Sequence, residues 1–282
     1  MFLEKSINDF PLWCYLDYWK FEDLIQRSAL FFAYRKTFTD ACEGEDTKCR
    51  QLERKLLSER QMLTTMHLAN IMNGGQGGTF KSMSPKNIQD AERVRFNAIL
   101  DSIGINCWTM YKDYNEDMAN IFCSNSRHFV AVETTFLNLL SAFPVPIKKS
   151  SSFFFGKVKY YDDYYNAQIP IVEMVDWLFH MSADKYKREK EFRFVFLLNE
   201  TWNERQYIFD QTRELSQEDM ILKCLRANVL TEGYQKIGFH IPVNLNAMKM
   251  VVHCSSQKIL DDAKELMNKY SVYTQTASVK LI

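Results

Sequence analysis

The clearest alternation of polar and apolar positions lies in residues 186–198, Tyr-Lys-Arg-Glu-Lys-Glu-Phe-Arg-Phe-Val-Phe-Leu-Leu. Side chains two positions apart in a β-strand share a face, so this segment predicts a strand with one apolar and one polar face. The apolar face would carry Phe192, Phe194 and Phe196, and the polar face Glu189, Glu191, Arg193 and Val195. The apolar face belongs in a core. The polar face is either a solvated sheet surface or one wall of a polar cleft.

The rest of the chain mixes strand and helix patterns without an internal repeat. Strand patterns occupy residues 12–16, 30–34, 105–111, 129–135, 153–161, 236–243, 248–253 and 278–282. Apolar residues recur at helical spacing in residues 18–28, 115–122, 136–143, 171–181, 217–227 and 256–269. We therefore expect a single α+β domain over residues 1–282, with a central mixed, mostly antiparallel sheet flanked by helices.

Residues 45–103 differ from the rest because they are charged and rich in strong helix formers, which predicts a helical insertion. A glycine-rich stretch at 73–79, Asn-Gly-Gly-Gln-Gly-Gly-Thr, lies inside it. A phosphate-binding loop of the Walker type requires Gly-Lys-Ser/Thr between a strand and a helix, and neither the lysine nor the strand is present. The stretch is typical of a flexible linker.

Composition limits the classes of function. The chain has 282 residues with 35 Lys+Arg and 35 Asp+Glu, so its formal net charge is zero and no bulk field attracts nucleic acid or anionic membranes. A local basic groove stays open as an alternative. No apolar run approaches the roughly 20 residues that span a bilayer, and the N-terminus lacks the apolar core of a signal peptide. We expect a cytoplasmic protein.

Cysteine and histidine spacing gives no metal or disulfide pattern. The seven cysteines include no Cys-x-x-Cys, and the five histidines include no His-x-x-x-His. We expect reduced thiols and no metal cofactor. Cys107 or Cys123 with His128 would make a thiol dyad, but a cysteine in an apolar strand is more often a small core residue.

Glu189 and Glu191 are the leading chemical candidates. On one strand face they would lie about 7 Å apart, which lets one hold a sugar hydroxyl while the other orients an acceptor. The alternative is that Glu191 pairs with Arg193 on an exposed sheet face and has only a structural role.

Two further segments are candidates for binding. Glu133, Thr134 and Thr135 stand at a strand-to-helix junction, where a threonine caps helix amides or the amides bind an anion. Asp40 and Glu43 lie in an early polar loop, where they either contact substrate or serve the turn.

Tyr160 belongs to a cluster of tyrosines and aspartates at 160–165. Its ring would stack on a base or ribose, or it is a core tyrosine whose hydroxyl is satisfied. The neighbouring acidic side chains argue against a nucleic-acid backbone at this place.

Several short motifs, taken in order, resemble one protein family. They are Trp13-Cys-Tyr-Leu, Phe38-Thr-Asp-Ala-Cys-Glu-Gly, Cys107-Trp, Val130-Ala-Val-Glu-Thr-Thr-Phe, Val158-Lys-Tyr-Tyr-Asp, Glu189-Lys-Glu-Phe-Arg and Pro242-Val-Asn-Leu. Their order and spacing are similar to those of an uncharacterised bacterial family, catalogued as domain of unknown function twenty-nine seventy-one. The chain departs from the family pattern at Thr39, Ala41, Ala119 and Arg188.

The motif order of that family is distantly similar to that of ADP-ribosyltransferases, which implies a fold and a substrate, NAD. By this likeness Tyr15 would lie on the first strand, which holds NAD, and Thr134 and Thr135 on the middle strand. Trp108, in the middle motif, is a further substrate-binding candidate. Glu191, with Glu189 and Arg193, would form the catalytic edge and orient the ribose.

The resemblance therefore implies a nucleotide-binding enzyme that transfers ADP-ribose or hydrolyses NAD. The alternative is a catalytically inactive binding or interaction protein, for example in phage–host defence or counter-defence, with a protein partner or a second copy of itself. A metal-dependent nuclease fits less well because the acidic residues are dispersed.

Overall fold

The computed structural model describes residues 9–38, 103–124, 128–150, 152–164, 176–198, 237–272 and 278–282. The strands are β1 (Pro11–Asp17), β2 (Ala29–Tyr34), β3 (Ile103–Thr109), β4 (Phe129–Thr135), β5 (Phe153–Lys157), β6 (Lys159–Tyr161), β7 (His180–Ser182), β8 (Glu191–Leu197), β9 (Gly238–Pro242), β10 (Val251–Cys254) and β11 (Ser278–Leu281). The α-helices are α1 (Tyr18–Arg27), α2 (Glu116–Phe122), α3 (Phe136–Ala142), α4 (Val145–Lys149), α5 (Ala183–Tyr186) and α6 (Gln257–Lys269).

Nine of these strands form one sheet, which confirms the predicted α+β fold. Seven follow the order β11-β10-β4-β1-β3-β2-β9, while β8 pairs with β3 and β5 pairs with β8. Described pairs in this sheet are antiparallel except β10 with β11, so the sheet is mixed and mostly antiparallel, as predicted. The short strands β6 and β7 form a separate parallel pair.

The strand β3 has an unusual set of partners. One edge pairs with β8 along its whole length, from Ile103 to Thr109. The other edge is shared: Thr109 lies opposite Trp13 of β1, whereas Ile105 lies opposite Ala33 of β2. Because β1 and β2 pair with opposite ends of this edge, they diverge and leave an opening beside the middle of β3.

Asn106 lies at this opening, and its side chain takes the place of a backbone hydrogen bond that β2 and β3 do not form there. Its Nδ2 donates a hydrogen bond to the Phe31 carbonyl at 2.9 Å, and its Oδ1 accepts one from Trp108 Nε1 at 2.7 Å. A buried backbone carbonyl without a partner would destabilise the fold, so the side chain satisfies a group that the divergence would otherwise leave unpaired.

The two faces of β8 enter different clusters, as the alternation predicts. Phe192, Phe194 and Phe196 join the main core, whereas Val195 packs with Ile105 and others in a smaller cluster on the opposite face. Every residue of β8 is buried. The hypothesis of an exposed polar face is therefore wrong.

The strand predicted at 186–198 begins earlier than the observed strand. The observed strand, β8, starts at Glu191, whereas residues 183–186 are helical and Lys187–Glu189 form a 3₁₀ turn. Lys190 adopts a left-handed φ of 47°, which ends the turn, and its carbonyl accepts a hydrogen bond from Met110 N at 2.9 Å. Glu189 therefore does not share a strand face with Glu191, and the 7 Å spacing along one strand is wrong.

Two other boundaries differ from prediction. Residues 171–175 of the helix predicted at 171–181 lie outside the described residues. Of the remainder, Asp176–Phe179 form a 3₁₀ turn and His180 begins β7, where it pairs with Lys159 of β6. The expected strand at 153–161 divides into β5 and β6, since Val158 N donates to the Glu191 carbonyl instead. Residues 45–102 of the helical insertion predicted at 45–103 lie outside the described residues, as does the helix predicted at 217–227; Ile103 is the first residue of β3.

The packing around Gly104 gives a test of the core. A Cβ at this position would overlap the ring of Phe239 and lie 2.9 Å from Phe32 Cβ. We expect Gly104→Ala to lower the free energy of unfolding by about 1–3 kcal/mol, because overpacking forces buried rings to move. Urea denaturation measures this loss.

Gly156→Ala is the matched control, since its Cβ would meet Phe179 at an ordinary 3.4 Å. Equal stability of the two variants would contradict the packing described here.

Candidate functional site

A cavity of about 520 Å³ lies where β1 and β2 diverge. Its walls come from β1, α1, β2, β3, β8 and β9 and from the turn that precedes β8. Cys107 and Trp108 are neighbours on β3 and both line it, so the cavity extends through the opening in the sheet. Ligand sites commonly have about 300–1,000 Å³. This cavity is the candidate site.

A second depression, of about 730 Å³, borders the same turn. Its described lining is confined to Ala183, Asp184, Lys187 and Arg188. It gathers residues from one short segment only, whereas the first cavity joins groups that are distant in sequence.

Glu191 and Arg193 form a buried ion pair at the wall of the cavity. Arg193 donates to Glu191 Oε2 from Nη2 at 2.6 Å and from Nε at 3.0 Å. The two residues are 4% and 1% exposed. Removing both charges from water is costly, and their close hydrogen-bonded geometry offsets that cost.

The remaining guanidinium contacts reach the segment before β8. Arg193 Nη1 donates to the Leu178 carbonyl at 2.8 Å, and Nη2 lies 2.9 Å from Met181 Sδ. The arginine therefore joins β8 to the 3₁₀ turn and β7. On Glu191, no described residue donates to Oε1, and Glu191 lines the cavity. This oxygen is the acceptor that the site offers to a ligand.

The backbone of Glu191 is fixed by two neighbours. Its N–H donates to the hydroxyl of Tyr160 at 2.8 Å, and its carbonyl accepts from Val158 N at 2.9 Å. Burial raises the pKa of Tyr160, so the phenol stays neutral. Tyr160 lies outside the described lining of the cavity; it contacts the lining through this bond to Glu191 and as the strand partner of Met181.

Tyr15 and Trp108 line the cavity, and both have their polar groups engaged. The Tyr15 hydroxyl accepts a hydrogen bond from Asn115 N at 3.1 Å, and Trp108 Nε1 donates to Asn106. Burial raises the pKa of Tyr15 to about 12. Because their polar atoms are occupied, these two residues present mainly apolar ring surface to a ligand.

Residues from β4 have other partners. The Thr134 hydroxyl donates to the Met248 carbonyl, and Thr135 Oγ1 caps α3 by accepting from Asn138 N at 3.4 Å. Glu133 Oε2 lies 2.8 Å from His253 Nε2. None of the three β4 residues is in the described lining of the cavity, whereas Glu189 is. Their binding roles stay predictions.

Asp40 and Glu43 lie outside the described residues, so their binding roles also stay predictions.

Sequence reasoning missed one pair in the cavity, Asp23 and His240. Asp23 Oδ2 lies 2.6 Å from His240 Nε2, and Oδ1 accepts from Arg27 Nε at 2.6 Å. Burial raises the pKa of Asp23, but the hydrogen bonds from Arg27 and His240 outweigh burial and hold it below its usual value. Helical i,i+4 spacing indicates the Arg27 contact. No local signal indicates His240, which is 217 positions away.

Within the described residue ranges, no cluster of three or more His, Cys, Asp or Glu side chains is arranged to hold a metal ion. No helix in those ranges has the length and apolar character needed to cross a bilayer.

Comparison of the chain with protein-family models, curated proteins and solved structures finds no match. The family resemblance and the activity that it implies therefore stay predictions.

The buried ion pair allows a stability test. Arg193→Met leaves the Glu191 carboxylate buried without its cation, which we expect to cost about 3–5 kcal/mol of unfolding free energy. The double variant Arg193→Met with Glu191→Leu removes both charges and should recover much of that loss. Urea denaturation of the three proteins measures both changes. A double variant no more stable than the single one would contradict the account of the pair.

The described cysteines give a second test. Burial raises the pKa of Cys14, Cys123 and Cys254 to about 12 each, so at pH 8 on the order of one thiol in 10,000 is ionised. We expect brief treatment with iodoacetamide at pH 8 to leave these three thiols unmodified in the native protein and to modify them in urea, as read by mass spectrometry. Fast alkylation of native Cys123 would favour the thiol dyad instead.

Proposed function

We propose that the cavity binds NAD or a related nucleotide and that the protein cleaves the bond between nicotinamide and ribose, transferring ADP-ribose to an acceptor or to water. The observation that carries this proposal is the arrangement of Glu191. Arg193 fixes one carboxylate oxygen, while the other belongs to a residue that lines a partly apolar cavity.

This geometry suits the breaking of an N-glycosidic bond. The C1′–N bond breaks with its electron pair going to nicotinamide, a C1′–O bond forms with water or a hydroxyl acceptor, and the acceptor releases its proton. Positive charge develops on the ribose ring in the transition state, and a preorganised carboxylate stabilises it. Since Arg193 neutralises the pair formally, the main contribution of Glu191 would be to accept a hydrogen bond from a ribose hydroxyl.

Other lining residues support binding of a nucleotide. Tyr15 and Trp108 supply ring surface against which a ribose or a nicotinamide ring packs. Glu189 lies in the turn before β8 and also lines the cavity, so a second carboxylate from the segment around β8 borders the site. The resemblance to the bacterial family and, through it, to ADP-ribosyltransferases supports the same reading.

A second function is favoured by the contacts of Arg193 with Leu178 and Met181. These contacts brace the sheet against the preceding segment whether or not a ligand is present. In this case the protein binds a partner or a small molecule without chemistry, and the Glu191–Arg193 pair has a structural role.

The two functions are separated by binding and by nicotinamide release. If the cavity binds NAD, saturation at about 100 times Kd should stabilise the protein by about 2.7 kcal/mol and raise Tm. Glu191→Gln should lower nicotinamide release at least about 100-fold, because a neutral amide oxygen accepts a weaker hydrogen bond from the ribose hydroxyl and loses the ion pair with Arg193 that orients the side chain. Differential scanning fluorimetry and a chromatographic assay for nicotinamide measure these effects.

The control is His253→Gln, which changes the contact between His253 and Glu133 outside the cavity lining and should leave release unchanged. Circular dichroism verifies the folding of each variant. The enzyme proposal is wrong if NAD, ATP and ADP-ribose all fail to shift Tm and Glu191→Gln only unfolds earlier.

A further inference from the structure

The end of the cavity formed by α1, β2 and β9 contains a carboxylate–imidazole pair, whereas the end near Glu191 contains a carboxylate–guanidinium pair. Asp23 and His240 line this end and form a carboxylate–imidazole pair at 2.6 Å. A carboxylate accepts, so His240 donates from Nε2. In neutral imidazole the other nitrogen is then an acceptor. No described residue bonds to His240 Nδ1, so in the neutral form of the imidazole this nitrogen is an acceptor on a residue that lines the cavity.

Aromatic surface surrounds this acceptor. The ring of Phe31 lies 5.2 Å from the ring of His240, centroid to centroid, and also lines the cavity. Trp19 stands one helical turn before Asp23 on α1, lines the cavity and is 62% exposed. Lys20 Nζ lies over the Trp19 ring, 5.4 Å from its centroid, and the rest of this exposed ring is a surface for stacking at the cavity rim.

The distance between the two ends follows from strand register. His240 lies opposite Phe31, the β2–β3 register places Phe31 level with Cys107, and Cys107 lies opposite Arg193. Three strand intervals separate His240 from Arg193. The two paired intervals, β9–β2 and β3–β8, measure about 4.8 Å each, and the unpaired interval between Phe31 and Cys107 is wider, so the separation exceeds about 14 Å. A single ribose does not span that distance, so one ligand that contacts both ends must be extended.

We propose that Trp19, Phe31 and His240 form a subsite for the adenine ring of the ligand, with Asp23 orienting His240. The exocyclic amine of adenine donates a hydrogen bond to His240 Nδ1, and the rings of Trp19 and Phe31 cover the faces of the base. This inference rests on the proposed nucleotide function, because it assigns the second half of the same ligand. It makes Glu191 the ribose end and α1 the base end of one cavity.

The test compares probes that carry one half of the ligand. Isothermal titration calorimetry measures binding of adenosine, ADP-ribose and nicotinamide mononucleotide to the wild type. We expect adenosine and ADP-ribose to bind. Trp19→Ala should weaken their binding about tenfold, because stacking on an aromatic ring is lost. Trp19→Phe keeps a ring face and should restore most of it.

His240→Ala removes the acceptor and should also weaken adenosine binding about tenfold. Nicotinamide mononucleotide lacks adenine, so its binding should not change in the Trp19 and His240 variants. His253→Gln is the matched control, since His253 also pairs with a strand carboxylate but lies outside the described lining. If His240→Ala does not fold, the exposed position of Trp19 keeps the test available.

The outcomes separate this inference from the proposed function. Adenosine binding that depends on Trp19 and His240, without nicotinamide release from NAD, supports the subsite and rejects the enzyme. Nicotinamide release that Trp19→Ala and His240→Ala leave unchanged, with unchanged adenosine binding, supports the enzyme and rejects the subsite. Failure of adenosine and ADP-ribose to bind the wild type also rejects the subsite.

Discussion

The sharing of one edge of β3 between two strands is the constraint on which the candidate site depends. A strand edge that pairs along its whole length leaves no room for a ligand, because neighbouring strands lie about 4.8 Å apart. Here β1 pairs only at Thr109 and β2 only near Ile105, so the middle of the edge is open. Asn106 satisfies the Phe31 carbonyl beside the opening. The cavity is therefore a consequence of topology, stabilised by one amide side chain.

The Glu191–Arg193 pair gives the cavity a fixed polar wall. Arg193 Nη2 lies 2.6 Å from Glu191 Oε2, and this contact fixes the orientation of the carboxylate. The same arginine reaches Leu178, so the position of the carboxylate depends on the segment before β8 as well as on β8 itself. The Glu191–Arg193 pair therefore supports both a structural role and the proposed catalytic role, because both depend on the same carboxylate and guanidinium atoms.

Charge in the cavity is local, in agreement with a chain whose formal net charge is zero. The carboxylates of Glu191 and Asp23 each have a cationic or imidazole partner on a neighbouring element. Tyr15 and Trp108 also line the cavity. The proposal of a nucleotide ligand rests on these paired acids and aromatic rings.

The sequence by itself determined the fold class, most boundaries of the described strands and helices, and the two faces of β8. These follow from periodicity, which reports the environment of each residue along one element. Only the tertiary structure decided that Glu189 lies in a turn, that Glu191 and Arg193 are fully buried, and that His240 meets Asp23. The left-handed conformation of Lys190 accompanies its backbone hydrogen bond with Met110. The divergence of β1 and β2 follows from their pairing with opposite ends of one edge of β3. Local patterns do not encode pairing between distant segments, because side-chain alternation is the same whichever strand lies alongside.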